Sequence, residues 1–106
     1  MPKLLFVCSR NKRRSLTAEM IFRDHKDFSV KSCGTSPQSR IKINEKLIHW
    51  ADVIYVMEKR HKDIIIQQFR DILRNKEIKV LFIPDKFELM DKKLIELLRD
   101  KVSHIV

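Results

Sequence analysis

Cys8 stands where an apolar run ends and a run of positive charge begins. In FVCSRNKRRSL, residues 6–16, it is followed by Arg10, Lys12, Arg13 and Arg14, with Ser9, Asn11 and Ser15 around them. A thiol at the mouth of so much charge has two readings. It is a core residue at a strand end, or the charge ionises it and holds an anion beside it. A loop that leaves a strand and opens a helix aims successive backbone N–H groups at one point, and the helix N-terminus adds partial positive charge. Arg14 brings a planar fork that grips two phosphate oxygens together. The same field favours thiolate over thiol. A nucleophile beneath a bound phosphate is the arrangement for covalent phosphoryl transfer. The bare pattern C-x5-R is weak, and its setting after a strand and before a helix gives it meaning.

The elements that must position this loop alternate along the chain. KLLFVC (3–8) is a short apolar run closed by polar residues, the mark of a buried strand. From Ser15 to about Lys26 the pattern predicts a helix with Leu16, Met20 and Ile21 on one face. FSVKSC (28–33) predicts a second strand, and residues 44–50 a short helix opened by Asn44. DVIYVM (52–57) is β-branched, aromatic and apolar throughout, as a strand covered on both faces should be. A longer helix is expected over 58–74, with Ile65, Phe69, Ile72 and Leu73 inward. IKVLFI (78–83) predicts the fourth strand, and a last helix runs from Asp91 to about Val102 with Leu94, Leu97 and Leu98 inward. This alternation predicts an α/β fold over 1–106: three α/β/α layers, a four-stranded parallel sheet and a phosphate-binding loop after the first strand. Loops leaving the strand C-termini of such a sheet collect at one edge, where ligands bind. The loops after Cys8, Cys33, Met57 and Ile83 should therefore meet, which brings PDKFELMD to the cysteine loop.

Composition bounds the partners. The chain has 106 residues, room for one domain, and a formal net charge of +9. Such a field favours phosphate groups, nucleic acid or acidic protein surfaces. No apolar run approaches a membrane span, and MPKLLFVC is too short for a signal-peptide core, so a cytoplasmic protein is expected. There are two cysteines, no CxxC and no zinc-finger spacing; His25, His49 and His104 show no metal spacing. Neither metal nor cofactor is expected. Cys33 reads as a buried, inert residue. The sharper alternative pairs it reversibly with Cys8, since both end strands at the active edge. Trp50, just before a strand, reads as core.

The sequence also resembles a known family. VCSRNKRRS with the following AE is similar to the V-C-x5-R-S phosphate loop of low-molecular-weight protein tyrosine phosphatases. SCGTS (32–36) resembles the family's second-strand SAGTS, ADVIYVME (51–58) its third-strand segment, and IPD (83–85) the stretch that carries its acid loop. The resemblance covers most of the chain in the same order, and a short-chain subgroup of predicted tyrosine phosphatases is the nearest match. It implies a cysteine-dependent phosphatase acting on a phosphomonoester, with protein phosphotyrosine as the substrate class. Cys8 would be the nucleophile that forms a phosphocysteine, Arg14 the phosphoryl-binding fork, and Ser15 the hydrogen-bond donor to the thiolate. Asn11 would hold the loop in shape, and Asp85 would be the general acid. The loop residues Ser9, Arg10, Asn11, Lys12, Arg13, Arg14 and Ser15 would surround a phosphate or sulfate. Thiolate and protonated acid must coexist, so an optimum of about pH 5–6 is expected.

Four departures bear on that implication. The family's acid precedes a proline, but Asp85 precedes Lys86, and Asp91 is a rival acid unless it caps a helix. Arg13 stands where redox-sensing members carry a second loop cysteine. Gln38 stands where many members have an aromatic wall, leaving Phe87 as the expected second wall. Arg10, Lys12 and Arg13 replace small or apolar loop residues, which suits a second phosphate, an acidic flank or plain solvation. His61 falls near a family position that touches the loop asparagine, against the simpler reading of a solvated histidine at a helix start. Two other functions remain open: an arsenate reductase, for which only Cys33 could serve as relay thiol, and a non-catalytic phosphate- or nucleic-acid-binding module.

Overall fold

The computed structural model describes residues 1–102, so His104 lies outside the described residues. Four strands form one parallel sheet: β1 (Lys3–Cys8), β2 (Ser29–Gly34), β3 (Val53–Val56) and β4 (Glu77–Val80), in the order β2-β1-β3-β4. Four helices alternate with them: α1 (Arg14–Phe22), α2 (Glu45–Trp50), α3 (Lys59–Leu73) and α4 (Lys92–Val102). β1 is central because LLFVC offers apolar side chains to both faces. Leu4, Phe6 and Cys8 pack with Ala18 and Phe22 of α1 and Leu94 and Leu98 of α4. Leu5 and Val7 point the other way, toward Ile48 of α2 and Ile65 and Leu73 of α3. The expected three layers and four parallel strands are thus present.

β2 and β3 flank β1 on opposite sides, so the chain's winding reverses at the C-terminal end of β1. Such a switch point opens a crevice between neighbouring loops, and Cys8 ends the strand that borders it.

Several boundaries differ from the expected ones. α1 begins at Arg14 and stops at Phe22, and its inward face is Thr17, Ala18 and Phe22, with Met20 exposed. β4 ends at Val80 because Phe82 takes φ 55°, outside extended geometry. Leu81 and Ile83 still donate their N–H groups to Val56 and Met57, which carries the chain past the crevice. Asn44 caps α2 as expected, its side chain accepting from the Leu47 N–H. Trp50 is half-buried, with the Lys31 ammonium 4.7 Å from its ring. No helix among the described residues is long and apolar enough to cross a membrane.

Candidate active site

Residues 9–13 bend from β1 into α1 around Asn11, whose φ of 59° suits asparagine better than most side chains. Asn11 is buried and donates through Nδ2 to Ser15 Oγ (2.8 Å) and Ser32 Oγ (2.9 Å); Ser32 in turn donates to Glu19 (2.6 Å). The first helical position follows Arg13, whose side chain makes no cap, so the leading N–H groups of α1 stay available to an anion. From the other side the chain's only glycine supports the loop. A Cβ on Gly34 would collide with Ser39 Oγ and lie 2.6 Å from the Ser9 carbonyl oxygen. Thr35 and Ser36 donate backbone N–H groups to Cys8 and Ser9, and Arg40 to Arg10.

Cys8 is buried at the foot of this loop, with its Sγ 3.0 Å from Ser15 Oγ. Ser15 Oγ also lies 3.2 Å from the Cys33 carbonyl oxygen. It has one proton and already accepts from Asn11, so it donates to one of the two. An ionised Cys8 draws that proton. Cys33 itself belongs to the opposite face of the sheet from Cys8, since one packs with the α2–α3 layer and the other with the α1–α4 layer. A disulfide between them therefore requires strand rearrangement. Burial, with the Cys8 charge second, pushes the Cys33 thiol far up, which keeps it inert.

Arg14 is held on one edge. Its Nη1 donates to Glu58 Oε2 (2.6 Å) and to the Ile83 carbonyl (2.8 Å), leaving Nε and Nη2 as the paired edge for an anion. Glu58 lies two residues past β3 and N-caps α3 in a capping box with His61. Its Oε2 also accepts from Arg60 (3.1 Å). The Arg60 hydrogen bond, then that of Arg14, lowers Glu58 to about 2 against an opposing burial effect.

His61 is fully buried, contrary to the solvated reading, and it touches Ser9 rather than Asn11. The Glu58 backbone N–H donates to Nδ1 (3.1 Å), so Nε2 carries the proton and donates to Ser9 Oγ (3.0 Å). Burial first, then the charges of Arg14 and Arg60, push His61 down to about 4, so it stays neutral.

A cleft of about 450 Å³ opens above Cys8. Ser9, Arg10, Lys12, Arg13, Arg14, Arg60 and Asp85 line the rest of it. Asp85 is 56% exposed and its Oδ1 lies 3.9 Å from Arg14 Nε. Asp91 does not line the cleft; its Oδ1 accepts from the Lys93 N–H, the geometry of a cap on α4. Phe87 is not the expected second wall: it is 6% exposed and its ring is buried in the core with the α1–α4 layer, where an apolar side chain loses most water. Gln38 is exposed and takes no part in the lining. Asn11 and Ser15 stand behind the loop and shape it, instead of lining the cleft.

The sequence reading passed over Glu58, Arg60 and Gly34. Glu58 carried a usable signal, since a carboxylate closing a central strand faces the edge where the loop arginine sits. Gly34 carried another, as the lone glycine of the chain beside that edge.

No protein-family model matches the chain, and neither does any curated protein sequence. Solved structures do match it. SP-PTP, a low-molecular-weight protein tyrosine phosphatase from Streptococcus pyogenes, superposes with a TM-score of 0.82 at 18% identity, covering 100% of this chain and 94% of that one. The low-molecular-weight protein tyrosine phosphatase from T. tengcongensis gives 0.78 at 23% identity over 100% of both chains. A cysteine-to-serine mutant of YwlE arginine phosphatase, with a phosphorylated active-site serine, gives 0.74 at 23% identity over 97% and 95%. The chain therefore has the fold of low-molecular-weight protein tyrosine phosphatases.

Proposed function

We propose that this chain is a cysteine-dependent phosphatase that hydrolyses a phosphomonoester through a phosphocysteine intermediate. The observation that carries the reading is Cys8 Sγ, 3.0 Å from Ser15 Oγ, at the floor of a cation-lined cleft beside the open edge of Arg14. The phosphorylated serine of the YwlE mutant supports a phosphoenzyme at the matching cysteine. In the first step the Cys8 thiolate attacks phosphorus, the P–O bond to the leaving alcohol breaks, and Asp85 gives that oxygen a proton. In the second step Asp85 takes a proton from water, the water oxygen attacks phosphorus, and the S–P bond breaks. Thiolate, phosphate and protonated Asp85 are regained. Arg14 and the N–H groups of α1 hold the charge that builds on the phosphoryl oxygens. Such an enzyme would act in the cytoplasm, where Cys8 stays reduced. Protein phosphotyrosine is the substrate class that the fold's named relatives suggest first.

The test is hydrolysis of para-nitrophenyl phosphate from about pH 4 to 8 in reductant. Turnover with an optimum of about pH 5–6 is expected, abolished by Cys8→Ser. Asp85→Asn should lower the rate by about 100-fold or more, and Asp91→Asn should change mainly stability. A folded wild type without turnover would remove the enzyme reading and leave a phosphate- or nucleic-acid-binding module.

A further inference from the structure

The lining of the cleft restricts what can carry the phosphate. Beyond Cys8 and Ser9 it consists, among the described residues, of five cationic side chains and one carboxylate, with no aromatic or aliphatic side chain in the lining. A phosphotyrosine ring seated there would strip water from guanidinium and ammonium groups and offer them only cation–π contacts, weaker partners than a second anion. A phosphoarginine would bring its own guanidinium against like charges.

The cations differ in their commitments. Arg14 and Arg60 share Glu58, and Arg13 lies 3.9 Å from Glu88. Arg10 and Lys12 are exposed and have no ion pair among the described residues. Arg10 is two residues beyond Cys8, so its Cα lies within about 7 Å of the nucleophile's Cα. Its long side chain can therefore reach an anion one sugar's span from a phosphate seated over Cys8, whose cleft it lines. The backbone bond from Arg40 fixes Arg10 at the mouth without using its side chain.

Resting on the phosphatase reading, we propose that the substrate carries a second phosphate group one sugar away from the scissile phosphomonoester, held by Arg10 and Lys12. Transfer proceeds as above, with water the only co-reactant and the second phosphate retained on the released alcohol. A nucleoside bisphosphate and the phosphorylated end of an oligonucleotide both present this chemistry, and the +9 chain attracts either.

Initial rates decide it. The full chain is compared on adenosine 3′,5′-bisphosphate, the matching 5′- and 3′-monophosphates, a 5′-phosphorylated oligoribonucleotide, an acid-flanked phosphotyrosine peptide and para-nitrophenyl phosphate. The bisphosphate should exceed each monophosphate in kcat/KM by about 10-fold or more. The double variant Arg10→Gln/Lys12→Gln should bring that ratio to near one, with folding checked by thermal unfolding; the ratio cancels any general loss. A ratio near one in the wild type, with para-nitrophenyl phosphate still turned over, overturns the inference and leaves the phosphatase reading intact. Faster turnover of the acidic peptide than of any bisphosphate also overturns it. Calorimetric binding to Cys8→Ala, which has no nucleophile to accept the phosphoryl group, reads the second phosphate without chemistry. Equal affinity for bisphosphate and monophosphate overturns the inference even if no substrate turns over; tighter bisphosphate binding, lost in the double variant, supports it. The oligonucleotide arm tells a free nucleotide from a nucleic-acid end.

Discussion

Arg13 and Arg14 are neighbours in the chain, yet their side chains are held differently. Arg14 is 2% exposed and fixed on one edge at 2.6 and 2.8 Å, while Arg13 is 53% exposed with its nearest carboxylate, Glu88, at 3.9 Å. The same contrast runs through the whole cleft. The floor is made of short hydrogen bonds among buried and half-buried groups: Asn11 to Ser15 and Ser32, Arg14 to Glu58, His61 to Ser9. Apart from Arg60, bonded to Glu58 at 3.1 Å, the rim is made of exposed charges with long or absent pairings. Buried polar groups are costly to leave unpaired and so fix one geometry, whereas exposed pairs contribute little and leave their charges free for a ligand. A floor of this kind serves phosphate on any carrier; discrimination has to come from the rim.

The comparison breaks most severely at Gly34. Gly34→Ala puts a Cβ against the Ser9 carbonyl, which must move with the whole anion loop. Overpacking of this kind costs roughly 1–3 kcal/mol. The shift of the loop should lower kcat/KM by about 100-fold. Thermal unfolding and steady-state kinetics on para-nitrophenyl phosphate separate the two effects. An active, stable Gly34→Ala variant would show that the floor tolerates slack.

Glu58→Gln comes next. It keeps an oxygen near Arg14 and Arg60 but removes the charge, so Arg14 loses its fixed edge. A fall in kcat/KM of about 10-fold is expected, together with weaker inhibition by inorganic phosphate. Glu58 is lowered from 4.5 to about 2, chiefly by Arg60 and then Arg14. A depressed carboxylate stabilises the fold above its unfolded value, and that contribution fades as pH falls from about 4.5 toward 2. Acid unfolding of wild type should therefore lie along this window, and Glu58→Gln should flatten it.

How far the sequence could be read follows the same division. The strands were legible because LLFVC and VIYV are apolar at every position, which only a sheet covered on both faces uses. The loop was legible because its chemistry is local, with Cys8 and Arg14 lying within one turn of chain. The bond from Arg14 to Glu58 spans 44 residues, and only the sheet order brings the two together. Phe87 was misread because an apolar residue in a loop can face either the crevice or the core, and nothing in its neighbours marks the side. His61 was misread for a related reason. Its place at a helix start suggested solvent, but the capping box turns its ring inward onto Ser9.

His61 tests whether the floor is one unit or several. Its ring is lowered from 6.5 to about 4 by burial, then by Arg14 and Arg60. A histidine kept neutral in the fold stabilises it above the unfolded value, and that contribution is lost as pH falls from about 6.5 to about 4. His61→Gln should remove that slope from the unfolding profile and lower kcat several-fold, since Ser9 loses its donor while the Asn11 bonds remain. A change in KM alone would assign Ser9 and His61 to the rim instead.

The smallest expected effect belongs to Glu88. It is 81% exposed and 3.9 Å from Arg13, so the pair carries little stability. Glu88→Gln should leave the unfolding temperature unchanged within experimental error. It removes the only carboxylate paired with Arg13 among the described residues, which adds net positive charge to the mouth. At low salt the rate on a bisphosphate should therefore rise slightly, and added salt should erase the gain, because exposed charges act within about 10 Å at ordinary ionic strength. The rate on para-nitrophenyl phosphate, with no second charge to reach the rim, should rise less. Equal gains on both substrates would mean that the rim acts on the scissile phosphate itself, and the separation of floor from rim would have to be redrawn around Arg13.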